Sequence, residues 1–495
     1  MTILRDSLSP KRVAMLTVAA TLLMTGWMIG WMTSATAGDI SVGGTTLTNR
    51  GLVAMGRMPA NQHDRFGETF GSSSGMALVP QSWRKTADGY EGTLMLLPDR
   101  GYNVAGTTDY RARVNTVAVT LTPESAGKPG RLDMRLTDSL ILTDAAGQPL
   151  SGLDPEGVQP AAGGFPDLPK TRNGSVALDP EAMILLPDGS FFISDEYGPY
   201  IYRFSAAGKM LSAIRPPEAL VPMRNGVQNF SSNNPGPGGE APKPANPESG
   251  RQNNQGFEGM AMTPDGKSLV VVLQSATRQD GGDSPATRNH TRALVYDIAD
   301  LDHPRLTAEY VVPLPVFKDD KGATLVAAQS ELVALGPTRF LLLSRDSNNG
   351  YGMKGSTSLY RKIDVLDFTG ATNIAGGDFD TAKPVAPKGV LDPTVKPATL
   401  TAFIDINDNA QLNRYGLHNG EPNDASNLSE KWESMALASV LDPARPEEFF
   451  LFVGNDNDFR TTEGFQVGAP YKDETGADVS TTFLVYRVGL PMLAK

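Results

Sequence analysis

Apolar residues along this chain recur in short runs, and the runs come in pairs separated by turns. Residues 179–198 read "DPEAMILLPDGSFFISDEYG", 256–276 "GFEGMAMTPDGKSLVVVLQSA", 329–348 "QSELVALGPTRFLLLSRDSN" and 431–458 "KWESMALASVLDPARPEEFFLFVGNDND". Each begins with a Glu, continues in a strand-like alternation, turns, runs through consecutive apolar residues and ends in polar ones. The turns fit hairpins, because Pro in "PDG" fixes φ and Gly accepts positive φ. A weaker copy at 72–103 carries Ser74 where the others have Glu.

After these hairpins come further runs, "PYIYRFS", "RALVYDIAD", "SLYRKIDVLDF" and "TFLVYRVGL", whose alternation suits outer strands with one exposed face. Four-stranded units repeating every 75 to 100 residues or so, without a long amphipathic helix, predict an all-β fold, a β-propeller. Five units are visible. The strand-like segment "DISVGGTTLTNRGLVAMG" would close a sixth against C-terminal strands, so six blades are expected, with five or seven as alternatives. Residues 213–255 are too rich in Pro, Gly and Asn for regular structure and read as a surface insertion, an inert loop or a lid.

Residues 1–37 stand apart. Arg5, Lys11 and Arg12 precede an apolar stretch ending "SATAG", the pattern of a signal peptide cleaved after Ala37. The propeller domain then occupies 38–495, and the expected location is periplasmic or secreted. An uncleaved anchor is the alternative, since the apolar run is long enough to span a bilayer; only then is a membrane an expected partner. A monomer is expected. The formal charge of −11 becomes −13 without the three cations and Asp6 of that segment, which disfavours nucleic acid as a partner.

In a propeller the first strand of each blade lines the central channel, so Glu181, Glu258, Glu331 and Glu433 should converge. The ends of the second strands add Asp99 and Arg100, Asp195 and Glu196, Gln274 and Ser275, Arg345 and Asp346, and Asn455 and Asp456. Clustered carboxylates resist ionisation unless neutralised. A hard cation does this best, and Ca²⁺ accepts six to eight oxygens in flexible geometry, with Mg²⁺ or Mn²⁺ as alternatives. The absence of Cys, and four His that all lie outside these columns, disfavour zinc and copper. The bland alternative is that the acids pair with Arg100, Arg345 and backbone amides and simply hold the units together.

Two other motifs fail on inspection. "GSSSG" at 71–75 matches a nucleophile elbow but is followed by a strand and Pro instead of a helix. "DINDNAQLNRYG" at 405–416 starts like an EF-hand loop but has Ala410 and Gly416 where Gly and Glu belong.

At "PDGSFFISDEYGPYIYRFSAAGK", "NNQGFEGMAMTPDG", "KWESMAL" and "GNDNDF" the sequence resembles the phytase-like family of exported bacterial proteins, described as having esterase-like activity of phytase. The resemblance runs from about residue 50 to 488. It implies a propeller-like domain whose recurrent acids carry a phosphoester-hydrolysing site, matched here by Glu181, Asp195, Glu196, Glu258, Glu433, Asp456, Asp458 and the "DRG" of Asp99 and Arg100. Gln274, Ser275 and Ser74 depart from the acidic pattern and put one or two metal positions in doubt. The expected function is an exported, metal-dependent hydrolase of a small phosphoester or ester. Its metal ligands would be Asp99, Glu181, Asp195, Glu258, Glu331, Asp346, Glu433, Asp456 and Asp458. Glu196 or Glu258 would act as base, and Arg100 and Arg345 would grip phosphate. The rivals are a non-catalytic propeller binding module with structural calcium and a lactonase-like esterase.

Overall fold

In the computed structural model, 38–494 are described apart from 72, 349, 352, 354–356 and 382, so the signal-peptide segment lies outside the described residues. The hairpins form as their turn chemistry dictates. In the first PDG turn Gly189 takes φ +84°, and Asp188 Oδ1 accepts from the Ser190 amide at 2.9 Å. The second turn repeats this, with Gly266 at φ +70°.

Each hairpin supplies the first two strands of a four-stranded antiparallel unit. The second unit, for example, runs Pro180–Leu185, Phe191–Asp195, Ile201–Phe204 and Met210–Ile214. The first strands are Gly75–Leu78, Pro180–Leu185, Phe257–Met262, Ala328–Ala334 and Trp432–Ser439. Each is packed against the next, and the last against the first, in a closed ring. Two glycines mark how closely these strands approach. A Cβ on Gly75 would meet the Glu181 carbonyl oxygen at 2.3 Å, and one on Gly259 would meet the backbone of Glu331 at 2.7 Å.

The consecutive apolar runs follow from this arrangement, because each unit is buried on both faces. Phe191 and Ile193 point into the core shared with the first unit, while Phe192 joins the core shared with the third. Leu342 and Leu343 divide in the same way between the cores on either side of the fourth unit. Five such apolar layers separate successive units, including one between the fifth and the first.

Two expectations change. The segment after residue 38 does pair with the C-terminal strand, Thr48 opposite Gly489 and Met58 opposite Thr481, but it supplies the fourth strand of the unit begun at Trp432. The described residues thus hold three separate four-stranded sheets, with the strands from Gly75 and those from Trp432 joined in one ten-stranded sheet. The four runs expected to be half-exposed outer strands are third strands, and they are largely buried because neighbouring units cover both faces. Exposure appears in the fourth strands, such as Arg305–Pro313.

The 213–255 segment has little regular structure beyond the short strands Met223–Arg224 and Val227–Gln228, but it is tightly bonded. Buried Arg224 donates to the carbonyls of Pro244, Asn229, Ser231 and Ala245, at 3.0 to 3.1 Å. Buried Arg251 donates to the Tyr197 carbonyl at 2.8 Å, which ties the insertion to the turn after Glu196. Among the described residues no helix is long and apolar enough to cross a membrane.

Candidate functional site

The first strands of the second to fifth units each contain a register shift near their start. A bulged residue leaves the ladder and has its side chain re-aimed. Glu181, Glu258 and Glu433 lie within these shifts, and all three line one cavity of about 530 Å³ at the end of the strand ring. In the fourth unit the shift falls at Ser330, so Glu331 stays in register opposite Leu343. Its carboxylate is spent on the backbone, Oε1 accepting from the amides of Leu332 at 2.8 Å and Met260 at 3.3 Å. Burial pushes the Glu331 carboxyl well above its usual range. Replacing Glu331 with Leu is expected to cost roughly 2 kcal/mol in urea unfolding by orphaning those amides, and Glu331→Gln under about 1. Equal losses would show that the acceptor oxygen is irrelevant.

The adjacent acids in "SDE" divide their work. Asp195 holds the turn, Oδ1 accepting from the amides of Asp179 and Tyr197 at 3.0 Å and Oδ2 from Gly198 at 2.8 Å. Glu196 lines the cavity, and its buried Oε1 has no hydrogen-bond partner. Burial, reinforced by the charge of Asp179, pushes Glu196 up to about 8. Asp346 resembles Asp195 although it borders the cavity, since Oδ2 accepts from the amides of Leu359 and Tyr360, the latter at 3.1 Å.

The departures from the acidic pattern have partners. Gln274 donates to Glu258 Oε1, leaving Oε2 buried and unpartnered, and Ser74 donates to Asp456 Oδ2 at 3.3 Å. Both arginines reach the cavity already engaged. Arg100 pairs with Asp179 at 2.9 Å, and Arg345 pairs with Glu433.

Asp179 and Lys431 are among the cavity groups that sequence reasoning missed. They occupy equivalent slots, two residues before the repeat's Glu, and both line the cavity. The Lys431 ammonium pairs with Asp456, with Asp458 at 2.9 Å, with Asp99 at 3.6 Å and with Glu433 at 3.7 Å. Asp99, Asp456 and Asp458 hold oxygens within 4.8 Å of one another, so the lysine already supplies a cation to this cluster. Burial opposes the charge on Asp458, but Lys431 and Arg460 hold it at about 2. Asp456 reaches about 6 because burial outweighs Lys431.

Also lining the cavity, Asp179, Glu181 and Glu196 form a second cluster of the same tightness. Among the described residues Arg100 is its only directly paired cation. Burial first, then the charge of Glu258, raises Glu181 well above the carboxylate range; burial and Glu196 do the same to Glu258. Unpartnered buried oxygens on Glu196 and on neighbouring Glu258 mark this cluster as the better fit for a hard cation.

A family model described as Phytase-like, esterase-like activity of phytase, matches residues 168–459. The chain belongs to the Phytase-like family. The matched span is shorter than the sequence resemblance and holds every acid named here except Asp99. A relative in Arthroderma benhamiae, described as an uncharacterized secreted protein, is 39% identical over 459 residues, 85% of this chain and 89% of that protein. This relative is fungal, whereas the resemblance pointed to bacterial proteins. Among solved structures, a luciferin-regenerating enzyme is 10% identical with a TM-score of 0.26, covering 85% of this chain and 92% of its own. An N-acetylgalactosamine deacetylase from F. plautii is 9% identical with a TM-score of 0.33, covering 90% and 97%. Neither likeness bears on the chemistry of the Phytase-like cavity.

Proposed function

We propose that this protein is a secreted, metal-dependent hydrolase of small phosphoesters, built as a monomeric five-bladed β-propeller with its active site in the acidic cavity. The observation that carries the reading is the pair of unpartnered buried oxygens on Glu196 and Glu258, on residues lining the same cavity as Arg100 and Arg345. Calcium, or magnesium or manganese, would be held by Asp179, Glu181 and Glu196 and would supply Lewis acidity and charge compensation. Glu258 is the preferred base: Gln274 pins one oxygen and leaves the other free to take a proton from an attacking water. Arg100 and Arg345, kept in place by Asp179 and Glu433, would oppose charge developing on the phosphoryl oxygens. Secretion is supported by the description of the Arthroderma benhamiae relative and by the signal-like N-terminal sequence.

Lys431 favours a different reading for the other cluster, where the ammonium makes Asp99, Asp456 and Asp458 structural acids. The deciding experiment measures bound metal, then phosphatase and esterase turnover before and after chelation. Turnover is expected to fall at least tenfold and to return with calcium. Bound calcium without turnover on either substrate class would leave a binding module, and turnover indifferent to chelation would remove the metal from the mechanism.

A further inference from the structure

The cavity is lined by two unlike sets of residues. Besides the acids it is lined by Phe317, Leu325 and Val326, carried by the paired strands Val316–Lys318 and Thr324–Val326, and by Pro285 and Arg288. Phe317 is fixed by stacking on Tyr360, ring centres 5.9 Å apart. Half-buried Arg288 has no hydrogen bond or ion pair among the described residues, whereas the other four cations of the lining, Arg100, Arg345, Lys431 and Arg460, all contact carboxylates.

Charge limits what this cavity can hold. Nine carboxylates and five cations line it. Lys431 already fills one acidic cluster, leaving the cluster around Glu181 for a metal. One divalent ion there would leave the acids in excess when ionised, so a polyphosphorylated ligand would meet a repulsive wall. A ligand with one anionic group meets one unpaired guanidinium, and an apolar substituent on it can leave water against Phe317.

Resting on the hydrolase reading, we propose that the substrate is a phosphoester with a single anionic group and an aryl or similarly apolar substituent, its anion taken by Arg288 and its substituent by the Phe317 wall, and that polyphosphorylated polyols are excluded.

Calorimetric binding to the calcium-loaded protein tests this independently of turnover, with phenylphosphonate, methylphosphonate and inositol hexakisphosphate as probes. Phenylphosphonate is expected to bind at least tenfold more tightly than either of the others. Phe317→Ala should abolish its advantage over methylphosphonate without weakening methylphosphonate, while Arg288→Ala should weaken both phosphonates about tenfold or more. Circular dichroism and melting of each variant establish that it is folded. Tighter binding of inositol hexakisphosphate, equal binding of the two phosphonates, or a folded Phe317→Ala protein that keeps the preference would each overturn the proposal. Selective phenylphosphonate binding without hydrolysis of phenyl phosphate or bis(p-nitrophenyl) phosphate would sustain the ligand class and reject the hydrolase reading alone.

Discussion

Lys431→Met is expected to lower the free energy of unfolding by about 3–5 kcal/mol at pH 8, the scale of loss when one partner of a buried ion network is removed. Four carboxylates face this ammonium, and Asp99, Asp456 and Glu433 are nearly inaccessible to water. Methionine keeps much of the apolar stem, so the change isolates the charge. Acidification should shrink the loss, because protonated carboxyls no longer repel. Calcium should also recover part of it in the variant by entering the cluster the ammonium has vacated. Urea unfolding at pH 5 and pH 8, with calcium or chelator, measures all three effects; a loss below about 1 kcal/mol at pH 8 would mean that the ammonium is not what holds these acids together.

Freed of divalent cations, the wild-type protein is expected to lose several kcal/mol of stability as pH rises from about 4.5 to about 8. Carboxylates of the unfolded chain ionise near 4. In the folded chain Glu196 holds its proton to about 8, and burial raises Glu181 and Glu258 well above their usual range. Between those limits the folded state binds more protons than the unfolded one, so raising the pH favours unfolding. Calcium offsets the charge of the ionised acids and should flatten the profile. Thermal melts across this interval, chelated and calcium-loaded, test the sign: stability that rises with pH in the chelated protein, or identical slopes in both conditions, would refute the assignment of these protons.

The repeat was legible because strand pairs and turns recur with one acid at a fixed place. What periodicity could not supply was the bulge. In one-dimensional spacing Glu331 is equivalent to Glu181, Glu258 and Glu433, yet a shift placed one residue earlier leaves it in register and turns its carboxylate toward backbone amides. A one-residue slip exchanges the faces of a strand. The slot holding Asp179 and Lys431 was missed for a different reason. Across four repeats it contains Asp, Gly, Gln and Lys, so no recurring letter marks it, although it delivers both a ligand candidate and the cation that answers it. The place of the segment after residue 38 was open to arithmetic on the sequence: three strand-like runs follow Lys431, which leaves one position beside them.

That shared fifth unit governs when the molecule can be finished. Its outermost strand, Thr45–Met58, is synthesised more than 400 residues before its neighbour, Thr481–Gly489. Closing so long a loop carries an entropic cost that no local contact offsets until the final pairing forms, which makes this a late and slow event in folding. An emerging chain can complete the second, third and fourth units in order while the ring stays open. The cavity, whose lining runs from Asp99 to Arg460, then comes into being only when the ring shuts. A chain cut short before Thr481 would leave the strand Glu448–Asn455 with an unpaired edge. Head-to-tail closure thus acts as a completeness check: a truncated product exposes a sticky strand instead of passing as a nearly whole protein.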